Sequence, residues 1–168
     1  VVGYDPNVSA AEMQAAGVEK VNDLLDMLGA CDFVSIHCVL NPQTRHLIGG
    51  NELKAMKSTA FLINVSRGAL VDEEALVEVL AERRIAGAGL DVYSQEPLTL
   101  SDHPLSQLFG LPNVIMLPHL TFYTCEAMMR LERETLERCF EILEGRPTLV
   151  KSDDPRLRSQ THGISFDG

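Results

Sequence analysis

The 168-residue sequence predicts an α/β fold, a doubly wound parallel sheet with helices on both faces. Three observations support it. Strand-like and helical segments alternate at intervals of about 25 to 30 residues, the rhythm of parallel strands joined by crossover helices. The strand segments are continuously apolar, as strands covered on both faces are. A chain of 18.5 kDa with 45% hydrophobic residues can bury a substantial core.

The expected strands are residues 1–4, 33–37, 60–65, 86–92 and 114–117, with a weaker one near Val18. In VDEEALVEVLAERRIAG, Asp72 is placed to cap a helix, Glu73 and Glu74 occupy its first turn, Arg83 and Arg84 its last, and Gly87 follows. Those charges complement the helix dipole at both ends. Leu76, Val79 and Leu80 then share its buried face. A long helix is expected over residues 125–143, ending at Gly145, with Pro147 forbidding continuation. From Thr148 the sequence loses periodicity, and residues 148–168 are expected to be a tail returning toward a separate domain.

A net charge of −10 and a pI near 4.9 argue against an electrostatic grip on nucleic acid or an anionic membrane. No apolar run reaches the roughly 20 residues of a membrane span, and no signal-peptide pattern opens the sequence, so a cytoplasmic protein is the expectation. Cys31, Cys38, Cys125 and Cys139 lack metal-site spacing and read as reduced, small core residues, with no metal expected.

In an open parallel sheet, ligands bind beyond the carboxyl ends of the strands. There the strands deliver Asp5, then His37 with the loop CVLNPQT, then NVSRG with Arg67, then LDVYSQEP with Asp91 and Glu96, then LPHLTFYT with His119. This set suits hydride transfer between an alcohol and a ketone. Such a reaction also moves a proton, for which histidine is the usual acid/base. A carboxylate such as Glu96 beside an imidazole favours the protonated ring and fixes its orientation. Arg67 offers a planar, permanent cation to a substrate carboxylate, and Asp91 an acceptor for a carboxamide. Taken singly, Asp5 reads equally as a turn residue before proline. His37, His46, His103 and His162 read as structural or surface residues, and Met128 and Met129 as packing.

The stretches INVSRGALVDEEAL, RRIAGAGLDVYSQEPL and NVIMLPHLTFYT resemble signature segments of the D-isomer-specific 2-hydroxyacid dehydrogenases, a likeness that covers essentially residues 1–147. The resemblance implies a partial Rossmann-like NAD-binding domain, a separate substrate domain, a small 2-keto or 2-hydroxy acid as substrate, and a homodimer. It implies that Arg67 binds substrate, that His119 is the acid/base and that Glu96 is its partner. Cofactor contacts are implied for Asp5, Cys38, Val39, Leu40, Asn41, Thr44, Val65, Ser66, Arg67, Asp91, His119 and Phe122. VVGYDP reads as the second strand of such a fold, with the glycine loop expected upstream and this piece inactive alone. An Asp at the ribose position, followed by Pro6 with no cation, favours NAD over NADP. The bulky His119-Leu120-Thr121-Phe122-Tyr123 segment and HCVLNPQTRHLI also resemble the C-terminal-binding corepressors, leaving an NADH-sensing interaction protein as the alternative.

Overall fold

The structure, a computed structural model, describes residues 1–99 and 103–146; Pro147 and the expected tail from Thr148 lie outside the described residues. The chain divides into two units, Val1–Thr121 and Phe122–Gly168.

In the first unit, β3 (Phe33–Ile36), β4 (Phe61–Asn64), β5 (Gly87–Leu90) and β6 (Val114–Met116) form a four-stranded parallel sheet in that order. Strands β1 (Val2–Gly3) and β2 (Glu19–Lys20) pair in parallel as a second, two-stranded sheet. Every expected strand is found, the weak one at Glu19–Lys20, and all pairings are parallel. The division into two sheets is what the sequence did not show. A groove of about 450 Å³ is lined by Val2, Gly3 and Asp5 on one side and by Phe33, Ile36 and His37 on the other.

Apolar residues on one face of the larger sheet build the core. Val34, Ile36, Leu62 and Leu90 are buried together with Leu28, Leu53, Leu76, Leu80, Leu105 and Leu108. These come from α2 (Leu24–Ala30), α3 (Gly50–Ala55), α4 (Glu73–Ala81) and the 3-10 helix Pro104–Gly110, which pack in succession. Along β3 and β4 burial alternates, and Phe33, Phe61 and Ile115 are exposed. Phe33 and Phe61 stack on each other with ring centres 5.5 Å apart. Gly87 has no room for a side chain, since a Cβ there would sit 2.2 Å from the Asn113 carbonyl oxygen. The β-strand from residue 114 can therefore approach β5 closely.

Asp72 caps α4 as expected, its carboxylate accepting from the Ala75 N–H at 3.2 Å. The other end differs from expectation. Arg83 and Arg84 lie beyond the helix rather than in its last turn, because the chain reverses at Arg83 with φ of 55°. The Arg84 N–H then donates to the Val79 carbonyl at 2.8 Å and the Arg83 N–H to Leu80 at 3.1 Å, a Schellman closure built without glycine. A left-handed arginine carries a steric cost, so Arg83→Gly is expected to raise stability by about 1 kcal/mol, read as a higher denaturant midpoint at unchanged slope.

The second unit contributes α5 (Cys125–Leu143), with the bounds the sequence predicts. Thr124 caps it, accepting from the Ala127 N–H at 3.2 Å, and Gly145 follows its end at φ of 65°. None of its residues is buried. Cys125 and Cys139 are exposed, which corrects their reading as core residues, and Met129, read as packing, is exposed too, while Cys31 and Cys38 are half-buried. No helix among the described residues is long and apolar enough to cross a membrane.

Candidate active site

Parallel register gathers the strand ends on one edge. Ile36 pairs with Asn64, Asn64 with Leu90 and Leu90 with Met116, so the residues that follow each of them leave the sheet side by side. Those followers are His37 and Cys38, Val65 to Arg67, Asp91, and Leu117 to His119. Asp5 lines the same groove as His37 and Cys38.

His119 and Glu96 meet there, with imidazole Nδ1 2.8 Å from Glu96 Oε2. The other oxygen, Glu96 Oε1, accepts the Tyr93 N–H at 3.0 Å. The hydrogen bond from His119 is the main reason that the Glu96 pKa lies below its ordinary 4.5, so the carboxylate is ionised at neutral pH. Both side chains remain about half open to solvent or less, at 46% and 35% exposure, and both line a cavity of about 550 Å³ with Leu98, Phe109 and Met116.

The His119 backbone is in the left-handed region, at φ of 58°. A histidine rarely sits there without being held. Asp91 holds it: Oδ1 accepts the Leu120 N–H at 2.8 Å, and Oδ2 accepts the Thr121 N–H at 3.0 Å and the Thr121 hydroxyl at 2.6 Å. Burial by itself would raise the Asp91 pKa, but the hydrogen bonds from Thr121 and Leu120 and the nearby His119 outweigh it and leave the group below its ordinary 3.8. Both carboxylate oxygens of Asp91 are thus engaged in shaping the loop after β6, a role the sequence did not show.

The loop after β4 is shaped by Asn64, which is buried. Its amide donates to the Arg67 carbonyl at 3.0 Å, its carbonyl accepts the Ser66 N–H at 3.1 Å, and the Ser66 hydroxyl donates to the Ile36 carbonyl at 2.7 Å. Arg67 is exposed, and its guanidinium donates to the Ser66 carbonyl at 2.6 Å; among the described residues it forms no hydrogen bond or ion pair with Glu96 or His119. What ties its loop to theirs is Gly68. A Cβ there would lie 1.9 Å from the Tyr93 carbonyl carbon, so only glycine lets the two loops touch. Tyr93 in turn donates its hydroxyl to the Leu117 carbonyl at 2.6 Å; burial, with Asp91 and Glu96 nearby, pushes its pKa to about 12 and keeps it a donor.

The remaining expected cofactor residues divide into ordered turns and open surface. Asp5 accepts the Asn7 N–H at 2.8 Å, the local turn that its position before proline suggests. Asn41 and Thr44 close their own loop, with the Thr44 hydroxyl on the Val39 carbonyl at 2.6 Å and the Thr44 N–H on Asn41 Oδ1 at 3.0 Å. Val39 and Leu40 project as exposed apolar residues, and burial raises the Cys38 thiol pKa. Val65 and Ser66 are half-buried. Phe122, in the second unit, is exposed and packs edge-on against Tyr123.

Residues 1–121, the same span as the first unit, match the family model of the D-isomer specific 2-hydroxyacid dehydrogenase NAD binding domain. The chain belongs to this family. Similar proteins include a D-3-phosphoglycerate dehydrogenase of Methanocaldococcus jannaschii, 38% identical over 145 residues that cover 86% of this chain and 27% of the relative. A glyoxylate reductase of Thermofilum pendens is 43% identical over 141 residues, covering 83% of this chain and 40% of the relative. Among solved structures, the NAD-complexed form of a D-isomer specific 2-hydroxyacid dehydrogenase from Lactobacillus delbrueckii ssp. bulgaricus aligns with a TM-score of 0.74 at 32% identity, covering 87% of this chain and 46% of that one. The chain spans less than half the length of these relatives. They are dehydrogenases and a reductase, which does not favour the corepressor alternative.

Within this 2-hydroxyacid dehydrogenase domain, the sequence reading missed Asn64, Tyr93 and the cluster of Glu73, Ser94 and His103 described below. The quoted segments NVSRG and LDVYSQEP contained Asn64, Tyr93 and Ser94, and a buried polar residue at a strand end was the available signal.

Proposed function

We propose that this chain carries the cofactor-binding and acid/base part of an NAD-dependent D-2-hydroxyacid dehydrogenase. The observation that carries this reading is the His119–Glu96 pair at 2.8 Å, set at the strand-end edge by a left-handed backbone. With Nδ1 committed to Glu96, His119 presents Nε2 as the atom that hands a proton to the carbonyl oxygen of a 2-keto acid, or takes it back from the hydroxyl. Arg67 pairs with the substrate carboxylate. Bound NADH supplies the hydride. Asp5 fits the adenosine ribose, since its carboxylate accepts from a 2′-hydroxyl and repels a 2′-phosphate. The Val39–Asn41–Thr44 turn, Val65, Ser66 and Asp91 border the rest of the cofactor, and the family resemblance implies a contact from Phe122 as well. We further read the intact protein as a cytoplasmic homodimer, on the family resemblance alone.

The test uses the full-length protein, titrated with NADH and NADPH by fluorescence and assayed with glyoxylate, hydroxypyruvate, pyruvate and phosphohydroxypyruvate. NADH is expected to bind more tightly than NADPH by about tenfold or more, equivalent to about 1.4 kcal/mol. At least one of the four acids is expected to be reduced. No NADH binding together with no turnover of any acid would overturn the reading. The isolated 168-residue chain is expected to show no turnover, because an acid/base pair without a bound, oriented substrate loses most of its rate advantage.

A further inference from the structure

We propose that Glu73 is the positioning residue of this site: a buried carboxylate at the start of α4 that anchors the Tyr93–Ser94 peptide and thereby sets Glu96 against His119. The proposal rests on the dehydrogenase reading above. Glu73 is 8% exposed, an unusual place for a glutamate whose sequence position in the first turn of a helix needs no burial. Its Oε1 accepts the Ser94 N–H at 2.7 Å, and its Oε2 accepts the Ser94 hydroxyl in a short hydrogen bond. His103, also 8% exposed, completes the cluster, with Nε2 3.3 Å from Ser94 Oγ and 3.4 Å from Glu73 Oε2.

The hydrogen-bond directions fix what this cluster does. The Leu105 N–H donates to His103 Nδ1 at 3.2 Å, so the ring proton is on Nε2 and points at Ser94 and Glu73. Ser94 and His103 both donate into Glu73. That is the reverse of a nucleophilic triad, in which the histidine accepts from the serine and gives its Nδ1 proton to the acid. The cluster is a clamp.

What it clamps is the junction of all three candidate catalytic groups. One residue before Ser94, the Tyr93 N–H donates to Glu96 Oε1; the Tyr93 hydroxyl holds the Leu117 carbonyl, two residues before His119; and the same peptide rests on Gly68, next to Arg67. A displacement of this peptide therefore moves the carboxylate that orients the imidazole. Misplacement by about 1 Å in such sites costs on the order of 100-fold in rate.

The experiment compares Glu73→Ala, Glu73→Gln and Glu96→Gln, singly and with Glu73→Ala and Glu96→Gln combined, in the full-length protein. Glu73→Ala is expected to lower kcat about 100-fold while the NADH Kd changes by less than about twofold. Glu73→Gln, which keeps a carbonyl for the Ser94 N–H, is expected to recover at least about tenfold of that loss. Adding Glu73→Ala to Glu96→Gln is expected to cost less than about threefold more, because both act through one carboxylate. Additive losses, or a loss shared equally by NADH binding, would overturn the proposal. Amide exchange gives a readout independent of turnover: Tyr93 and Ser94 are expected to exchange at least about tenfold faster in Glu73→Ala, with the amides of Leu76, Val79 and Leu80 unchanged. Unchanged exchange at Tyr93 and Ser94 overturns it even if the protein proves not to be a dehydrogenase. If Glu73→Ala does not fold, Ser94→Ala, which loses the hydroxyl bond but keeps the N–H bond to Glu73, is expected to accelerate exchange at Tyr93 and Ser94 by a smaller factor, about threefold, with α4 unchanged; no acceleration, or a uniform change across α4 as well, would overturn the clamp.

Discussion

His119→Asn in the full-length protein is expected to lower kcat for 2-keto acid reduction by about 10²- to 10⁴-fold, the range that a positioned general acid supplies. Asparagine is the informative replacement because it accepts a left-handed backbone, so the loop at φ of 58° is kept while the titrating ring is removed. NADH binding, measured by fluorescence, should hardly change, which separates a chemical loss from a folding loss. Glu96→Gln tests the other half of the pair. The Glu96 pKa is lowered from 4.5, chiefly by its hydrogen bond with His119, so a depressed acid is the case to apply. Its ionic support of the pair is fully present above about pH 4.5 and is lost as pH falls through the lower folded value. An acid limb of the rate profile caused by this group therefore belongs below pH 4.5, and Glu96→Gln should abolish it while lowering the plateau. Wild-type kcat in His119→Asn would remove histidine from the mechanism.

What could be read from the sequence was what is local. Apolar runs placed the strands, Asp72 marked the start of α4, and Gly145 marked the stop of α5, because caps, turns and periodicity act over three or four residues. The strand-end residues could be enumerated for the same reason: in a parallel sheet the carboxyl end of each strand is a local property. The pairings among them were a different matter. Asp91 grips Leu120 and Thr121 across 29 and 30 positions and Glu73 reaches Ser94 across 21, whereas the pairing of His119 with Glu96, across 23, was expected through the family resemblance. These contacts exist only once register has aligned β5 with β6 and packed α4 beside them. A reading one residue at a time saw Glu73 as a dipole partner of its own helix, and His103 as one more surface or structural histidine. Arg83 is the opposite lesson. Propensity pointed to a glycine stop, yet the closure formed at an arginine because the Val79 and Leu80 carbonyls needed donors and the chain had to turn toward Gly87.

Asp91→Ala is expected to be the most destabilising single change at the site. It leaves the Leu120 N–H, the Thr121 N–H and the Thr121 hydroxyl without their acceptor, at about 1–3 kcal/mol for each group that stays out of water. Partial solvation of the loop brings the expected total to about 3 kcal/mol, read as a lower denaturant midpoint. Asparagine is no remedy, since its NH₂ would face backbone N–H groups that need an oxygen. The pH dependence carries the sharper test. Asp91 has a folded pKa below 3.8, so the unfolded chain binds its proton first as the solution is acidified. Its stabilisation is complete above about pH 3.8 and disappears as pH falls through the folded value, and the gap between wild type and Asp91→Ala should narrow across that window. A gap of equal size at neutral pH and at about pH 3 would mean that the carboxylate charge contributes nothing. The same variant also frees His119 from its left-handed backbone, a conformation that costs on the order of 1 kcal/mol to hold. The relaxed ring would then leave Glu96, and any activity should fall further than the loss of folded protein explains. Stability spent on an awkward histidine is the signature of a site in which geometry matters more than comfort.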